Sequence, residues 1–255
     1  MQPEAIYERL NEAYFSENCH EKVVIDHLGE LLDGRKLFVD IGASLGQFTR
    51  RANQLMQDGK IIAIEADPVR FEELKRNCQL WENESTNQIV PVHAALCRSS
   101  GKVTFFTTNS NVSGGISKRN VAADVQWDGI EVPAMTLDEV LADAVPDLVK
   151  MDVEGAEMDI LLGAENTVRK QKTCFLVEIH GSIDEGTVAP PKLVVPFLRS
   201  NGYGQSSFHG KPLFKPGTLS YRQKFRLWKD GFLRGLGIRS ELDKFRSAER
   251  PDSAY

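Results

Sequence analysis

Five short apolar runs, separated by segments of helical period, set the tightest limit on what this chain can fold into. They are KLFVDIG (36–42), KIIAIEAD (60–67), IVPVHAAL (89–96), DLVKMDVE (147–154) and CFLVEIHG (174–181). Apolar runs this short read as buried strands, and helices between them call for an open, mostly parallel sheet covered on both faces. The helices carry their own marks. Gln47 to Met56 has helical period, and Pro68 opens a second helix at its first turn, where a missing N–H does no harm, running to about Trp81. Thr136, with Glu139 three residues on, forms a capping-box pattern ahead of LDEVLADA. Ala156 to Arg169 reads as the helix after the fourth run, and residues 4–33 as a helical segment ahead of the sheet.

Two regions depart from the alternation. KVTFFTT (101–107) and IEVPAM (130–135) read as extra strands around NSNVSGGISKRN (109–120), a Ser/Asn/Gly loop near the carboxyl end of the sheet that suits a lid. Pro190–Pro191 start a further helix. Beyond residue 203 the only pattern is RQKFRLWKDGFLRGLGIRSELDKF (222–245). At 255 residues the chain suits one large α/β domain with appendages: an N-terminal helical segment (1–35), the α/β domain (36–215) and a basic amphipathic C-terminal segment (216–255).

Composition narrows the function classes. With 26% charged residues and no apolar run of about 18, a transmembrane helix is not expected, and MQPEAIYERLNEAYF lacks the apolar core of a secretory signal. Cys19, Cys78, Cys97 and Cys174 are scattered without CxxC spacing, which disfavours a structural zinc site and suits reduced thiols in the cytoplasm. Residues 1–191 hold 18 Lys and Arg against 31 Asp and Glu, whereas residues 192–255 hold 13 against 5. The acidic body and the lack of any recognition motif argue against nucleic acid. The basic tail, in which Phe225, Leu227, Trp228, Phe232 and Leu233 interleave with Arg and Lys, suits a domain cap, an oligomer contact, an anionic partner or a peripheral membrane contact.

VDIGASLGQFT (39–49) is a strand, a glycine turn and a helix start, the place where open α/β sheets bind ligands. Gly42 and Gly46 permit close backbone approach, and Glu65, 23 residues after Gly42, can accept hydrogen bonds from both hydroxyls of a ribose. A nicotinamide enzyme would show GxGxxG. Here Ala43 and Ser44 stand where that turn needs another glycine, and the acid Asp40 precedes it. A carboxylate there repels phosphate but can hold, directly or through water, the ammonium end of S-adenosylmethionine. That charge logic favours a methyl donor over a dinucleotide, with a nicotinamide oxidoreductase as the alternative.

The stretch LVKMDVEGAEMDIL (148–161) sets Lys150, Asp152 and Glu154 at alternate positions of an otherwise apolar strand, hence on one side, with Val149, Met151 and Val153 facing the other way. Charges so placed must be paired or lie at the open sheet edge. Asp152 and His180 are the candidate bases for a hydroxyl acceptor, with Glu154 beside them. Glu178 is expected to hold the His180 imidazole or to pair with Lys150, and Glu157 to sit in a first helical turn, where the dipole favours it. Asp152, Glu154, Glu178 and His180 could instead bind a divalent cation, although spacing across two strands is not a dedicated metal motif.

The ordered set VDIGASLGQFT, IIAIEADPVRFEELKRN, VHAALCRSSGKVTFF, VPAMTLDEVL, PDLVKMDVEGAEMDILLGAENTV and FLVEIHG resembles the FkbM family of S-adenosylmethionine-dependent methyltransferases over about residues 37–181. The resemblance implies a class I, Rossmann-like fold with a mostly parallel seven-stranded sheet. It implies that Asp40, Gly42, Ala43, Ser44, Gly46, Gln47 and Phe48 hold the methionine end of the donor. Glu65 would then bind the ribose, Ala66 and Asp67 would lie by the adenosine, and His93, Ala94 and Ala95 near the adenine, with Asp152 bordering the sulfonium. It further implies transfer to a hydroxyl of a sugar, glycan or glycosylated natural product; an N-methyltransferase on the same scaffold is the alternative. Ser44 and Leu45 depart from the Asn-and-Ile-like pair of the family pattern.

Overall fold

A computed structural model describes residues 21–108, 115–116, 127–180 and 191–217. The expected lid (109–120) apart from residues 115–116, residues 1–20, and the tail beyond Gly217 fall outside the described residues. Two short helices, α1 (Lys22–Asp26) and α2 (Gly29–Leu32), lead into β1 (Leu37–Ile41), α3 (Gln47–Leu55), β2 (Lys60–Glu65), α4 (Pro68–Trp81) and β3 (Gln88–His93). There follow β4 (Ala95–Leu96), β5 (Gly101–Thr108), β6 (Trp127–Met135), α5 (Leu137–Leu141), β7 (Leu148–Met151), α6 (Glu157–Leu162), α7 (Glu165–Arg169) and β8 (Cys174–Val177). The last described elements are α8 (Val194–Ser200), β9 (Tyr203–Phe208) and β10 (Lys211–Pro216). No helix among the described residues is long and apolar enough to cross a membrane.

The main sheet has seven strands in the order β3-β2-β1-β7-β8-β10-β9. The strands from β3 to β8 pair in parallel, and β10 pairs antiparallel with both β8 and β9. This is the mostly parallel, Rossmann-like α/β architecture expected from the sequence. The order reverses between β1 and β7, so the carboxyl ends of those two strands flank the switch-point crevice where such sheets bind ligands. The small strands β4, β6 and β5 make a second sheet, β5 and β6 being the antiparallel pair around the 109–120 region.

The strands bury both faces. Val39, Ile41, Val149, Met151, Phe175 and Val177 pack with α5 to α8, while Phe38, Ile61, Ala63, Leu148 and Leu176 pack with α1 to α4. Helix starts follow the local chemistry. The Asp67 side chain accepts from the Val69 and Arg70 amides ahead of Pro68, and Thr136 with Glu139 completes the capping box.

Three sequence expectations need correction. The single helix over 156–169 is two, α6 and α7, parted at Gly163–Ala164, and a Cβ on Gly163 would lie 2.2 Å from the Cys97 carbonyl oxygen, so the close approach there requires glycine. IVPVHAAL is also two strands, since β3 ends at His93 and Ala95–Leu96 crosses to the small sheet. The patternless stretch after 203 is in fact the β9–β10 hairpin that completes the main sheet. Its two-residue turn, His209–Gly210, has positive φ at both positions (46° and 89°), the mark of a primed turn.

On the α1–α4 face sit two charges. The Asp40 carboxylate is 0% exposed; it accepts from the amide and hydroxyl of Thr49 and lies 3.5 Å from the Lys150 ammonium. Lys150 also donates to the Gly42 carbonyl at 3.2 Å and lies over the Phe48 ring, 4.8 Å from its centroid. Burial alone would depress the lysine pKa, but Asp40, Asp152 and Glu21 outweigh it and hold Lys150 protonated. Lys150→Met, which strands the Asp40 charge, is expected to cost about 3–5 kcal/mol in urea unfolding. The double variant Lys150→Met/Asp40→Asn should recover most of that loss; equal losses would show that packing, not charge, matters here.

Candidate active site

The crevice is built on the ends of β1, β2, β7 and β8. After β1 the chain turns at Gly42, with φ of 71°, and a Cβ on it would meet the Asp152 carbonyl oxygen at 1.9 Å. Only glycine lets this loop close on the end of β7. Ser44, at φ 52°, presents its amide to Glu65 Oε2 at 2.8 Å, and Glu65 Oε1 accepts the Asp67 amide at 2.8 Å. Burial raises the Glu65 pKa, opposed by these amides and by Arg70. The carboxylate at the end of β2 therefore clamps the loop and keeps lone pairs for hydroxyl donors.

The structure divides the expected donor residues into two layers. Gly42, Ser44, Gln47 and Ala66 are partly exposed at the crevice, with Glu65 close beneath. Ala43 and Phe48 are buried in the core, and Gly46 and Ala94 are buried as well. Ala95 packs with Cys97, Phe105, Val132 and Ala134 in the core of the small sheet. Asp40 has no exposed surface, and with Thr49 and Lys150 for partners it supports the loop from beneath. The same carboxylate takes the Thr49 amide in the first turn of α3, an amide that a pyrophosphate would otherwise use. His93, at the end of β3, stacks on Phe71 at 4.8 Å and has Nε2 3.1 Å from the Ala66 carbonyl, flooring the region expected for the adenosine.

β7 stops at Met151, and the strand alternation stops with it. Glu154 lies at φ 59° and Gly155 at φ 106°, so residues 152–155 form a turn and not a strand end. That turn brings Asp152 and Glu154 to the imidazole of His180, whose Nε2 is 3.6 Å from Asp152 Oδ1 and 3.4 Å from Glu154 Oε2. The partner of the other ring nitrogen is Glu157, which the sequence suggested only for a helix start. Glu157 Oε1 accepts from His180 Nδ1 at 2.9 Å, from the His180 amide at 3.2 Å and from the Gly155 amide at 3.0 Å, and the residue is 0% exposed. Because a carboxylate only accepts here, Nδ1 carries a hydrogen, and in the neutral ring the lone pair is on Nε2.

Glu178, expected on the imidazole or on Lys150, lies 3.8 Å from His180 Nε2 and is also bonded by Lys211 of β10, which reaches Glu21 at 3.4 Å. No sequence signal for Lys211 existed while its hairpin was unread. Burial would lower the His180 pKa, but the bond to Glu157 and the charges of Asp152, Glu157 and Glu178 outweigh it and raise it. Asp152, Glu178 and His180 offer ligand atoms within 4.8 Å of one another, close enough for a divalent cation.

A matched family model, the methyltransferase FkbM domain, spans residues 40–204. The chain belongs to the FkbM methyltransferase family. Among curated relatives of this FkbM chain, methyltransferase sdnD of Sordaria araneosa is 27% identical over 177 residues, covering 57% of this chain and 68% of sdnD. Hexuronic acid methyltransferase AglP of Haloferax volcanii is 25% identical over 172 residues, 64% of each chain. 2-O-methyltransferase NoeI of Sinorhizobium fredii is 26% identical over 179 residues, covering 64% of this chain and 71% of NoeI. The chain thus spans about two thirds of the length of these relatives.

As an FkbM member the chain is an S-adenosylmethionine-dependent methyltransferase, and its residues fit that donor. Glu65 can accept ribose hydroxyls. The carboxylates of Asp152 and Glu154 suit a sulfonium cation, and the capped start of α3 disfavours a pyrophosphate. Gly42→Ala is expected to abolish binding of S-adenosylhomocysteine in isothermal titration, since the added methyl drives the loop off the end of β7. Binding at the wild-type affinity would dissociate the loop from the donor site.

Proposed function

We propose that this FkbM methyltransferase methylates a hydroxyl of a sugar, a glycan or a glycosylated small molecule, with His180 as general base. The carrying observation is the imidazole at the carboxyl end of β8, its tautomer set by the buried Glu157 and its Nε2 turned toward the Asp152–Glu154 turn. When bound, S-adenosylmethionine supplies an electrophilic methyl group and leaves as a neutral thioether. Direct displacement asks the protein chiefly for alignment. His180 Nε2 takes the hydroxyl proton as the oxygen attacks, and Glu157 stabilises the imidazolium so formed. Asp152 and Glu154 accept hydrogen bonds from neighbouring hydroxyls, the kind of contact that orients a polyol. The names of AglP and NoeI, a hexuronic acid methyltransferase and a 2-O-methyltransferase, support a sugar hydroxyl. Buried free Cys78, Cys97 and Cys174 fit a reducing compartment such as the cytoplasm.

Deuterated S-adenosylmethionine, offered with a panel of glycosides, uronic acids and amino sugars, should give O-linked label by mass spectrometry; label on nitrogen alone would overturn the hydroxyl reading. His180→Asn is expected to lower kcat by about 10²–10⁴ while leaving S-adenosylhomocysteine affinity unchanged.

The base must be neutral, and its folded pKa is raised. The rate therefore climbs with pH and levels off above the ordinary imidazole range. Glu157→Gln, which removes one of the charges that raise it, should move the midpoint down. A flat profile from pH 5 to 9 would eliminate His180 as the base.

A divalent cation held by Asp152, Glu178 and His180 is the second reading, favoured by their spacing. Lys211 already neutralises Glu178, which supports the proton-transfer reading. Full activity after treatment with EDTA is the expected result; loss that Mg²⁺ or Mn²⁺ restores would favour the cation.

A further inference from the structure

On the α1–α2 side of the hairpin, three residues converge that the methyl-transfer site does not use. His27 caps α1, Glu30 lies in α2, and His209 forms the β9–β10 turn. The two imidazole rings lie 4.0 Å apart, centroid to centroid, at an angle of 32°, and His209 Nε2 is 4.0 Å from Glu30 Oε1. One ligand atom from each of the three residues falls within 4.8 Å of the others. All three side chains are exposed.

The chemistry of this set is selective. Two imidazoles and one carboxylate are the ligands of zinc and its first-row neighbours, whereas Mg²⁺ and Ca²⁺ prefer oxygen throughout. A second, independent feature prepares it. His27 Nδ1 lies 2.8 Å from the Val23 carbonyl, and a carbonyl can only accept. That ring nitrogen therefore carries a hydrogen, and in the neutral ring the lone pair is on Nε2, the tautomer and the backbone anchor typical of metal-bound histidines. His209 lies at φ 46°, in the left-handed region that Asn, Asp and His adopt more often than other side chains, in a turn that carries its ring to the helices.

We propose that His27, Glu30 and His209 bind a zinc-class transition-metal ion that pins α1 and α2 to the β9–β10 hairpin. Three protein ligands leave one position of a tetrahedral ion to water. The ion joins segments about 180 residues apart in the chain, and β9 is an edge strand of the main sheet. It also bears on the methyl-transfer site. Two residues after His209, Lys211 reaches Glu178 at the rim of that site and Glu21 just ahead of α1. The hairpin thus meets the helical segment at two points, one an ion pair and the other the metal.

The test is zinc titration of the full chain after chelator treatment and desalting, followed by calorimetry and by thermal unfolding. Expected are one zinc per chain and a rise in Tm that MgCl₂ does not reproduce. His27→Gln and His209→Gln should each weaken zinc binding by about tenfold or more, while His180→Asn leaves it intact. Co²⁺ in place of zinc should give a visible absorption band of tetrahedral intensity that both histidine variants lose, a readout independent of stability. Absence of zinc binding by the wild-type protein would overturn the proposal. So would zinc binding that survives both histidine substitutions but is lost in His180→Asn, since the ion would then sit at the methyl-transfer site. S-adenosylhomocysteine titration of the same samples tests the methyltransferase reading separately.

Discussion

The donor side of the crevice rests on one buried ion pair. Asp40 of β1 and Lys150 of β7 face each other across neighbouring parallel strands, and each touches the loop that follows β1. Lys150 holds the Gly42 carbonyl, while Asp40 holds the first turn of α3 through Thr49. Neither charge could stay buried without the other, because desolvation of a lone ion exceeds what the surrounding packing returns. The pair therefore ties three things to one register: the β1–β7 pairing, the glycine turn and the start of α3. The loop gains its rigidity from charges buried beneath it.

A second buried carboxylate organises the other side of the crevice in the same way. Glu157 is wholly buried and collects the His180 ring, the His180 amide and the Gly155 amide on a single oxygen. The turn after β7 and the end of β8 are thereby locked together. Asp152 and Glu154 are then carried to Nε2 by the left-handed conformation of Glu154, not by strand alternation. Lys211 completes the rim by engaging Glu178 and Glu21, so the final hairpin, which is remote in sequence, bounds the same crevice. Excess negative charge is concentrated where a sulfonium and a developing imidazolium would both be stabilised.

Much of the fold was legible in the sequence because its elements are locally encoded. The five apolar runs, the Pro68 helix start and the Thr136–Glu139 capping box depend on neighbours within a few residues, and each run contains a strand of the main sheet, although the third divides at Ala94 and the fourth ends at Met151. The glycine turn and Glu65 were legible for the same reason, as one strand–turn–helix unit and one strand end. The β9–β10 hairpin was missed because its strands, YGQSSF and KPLFKP, are short and carry little apolar alternation. Its turn, His209–Gly210, lacks the Asn-Gly or Asp-Gly pair that marks such hairpins most strongly. The helix over 156–169 was read as one because the break at Gly163–Ala164 goes with a tertiary contact, the close approach of the Cys97 carbonyl.

By itself the sequence determined that this chain makes an open α/β sheet with a glycine turn after β1, and that charges cluster where the fourth and fifth runs end. Hydrophobic period and turn chemistry are local properties, so they survive in one dimension. Which charge meets which was decided only by the tertiary structure. Lys150 went to Asp40 and not to Glu178, His180 to Glu157, and Glu178 to Lys211. Each pairing spans from 23 to 110 residues and is selected by strand order, by burial that forbids a lone charge, and by a left-handed turn at Glu154 that period-two alternation could not foretell.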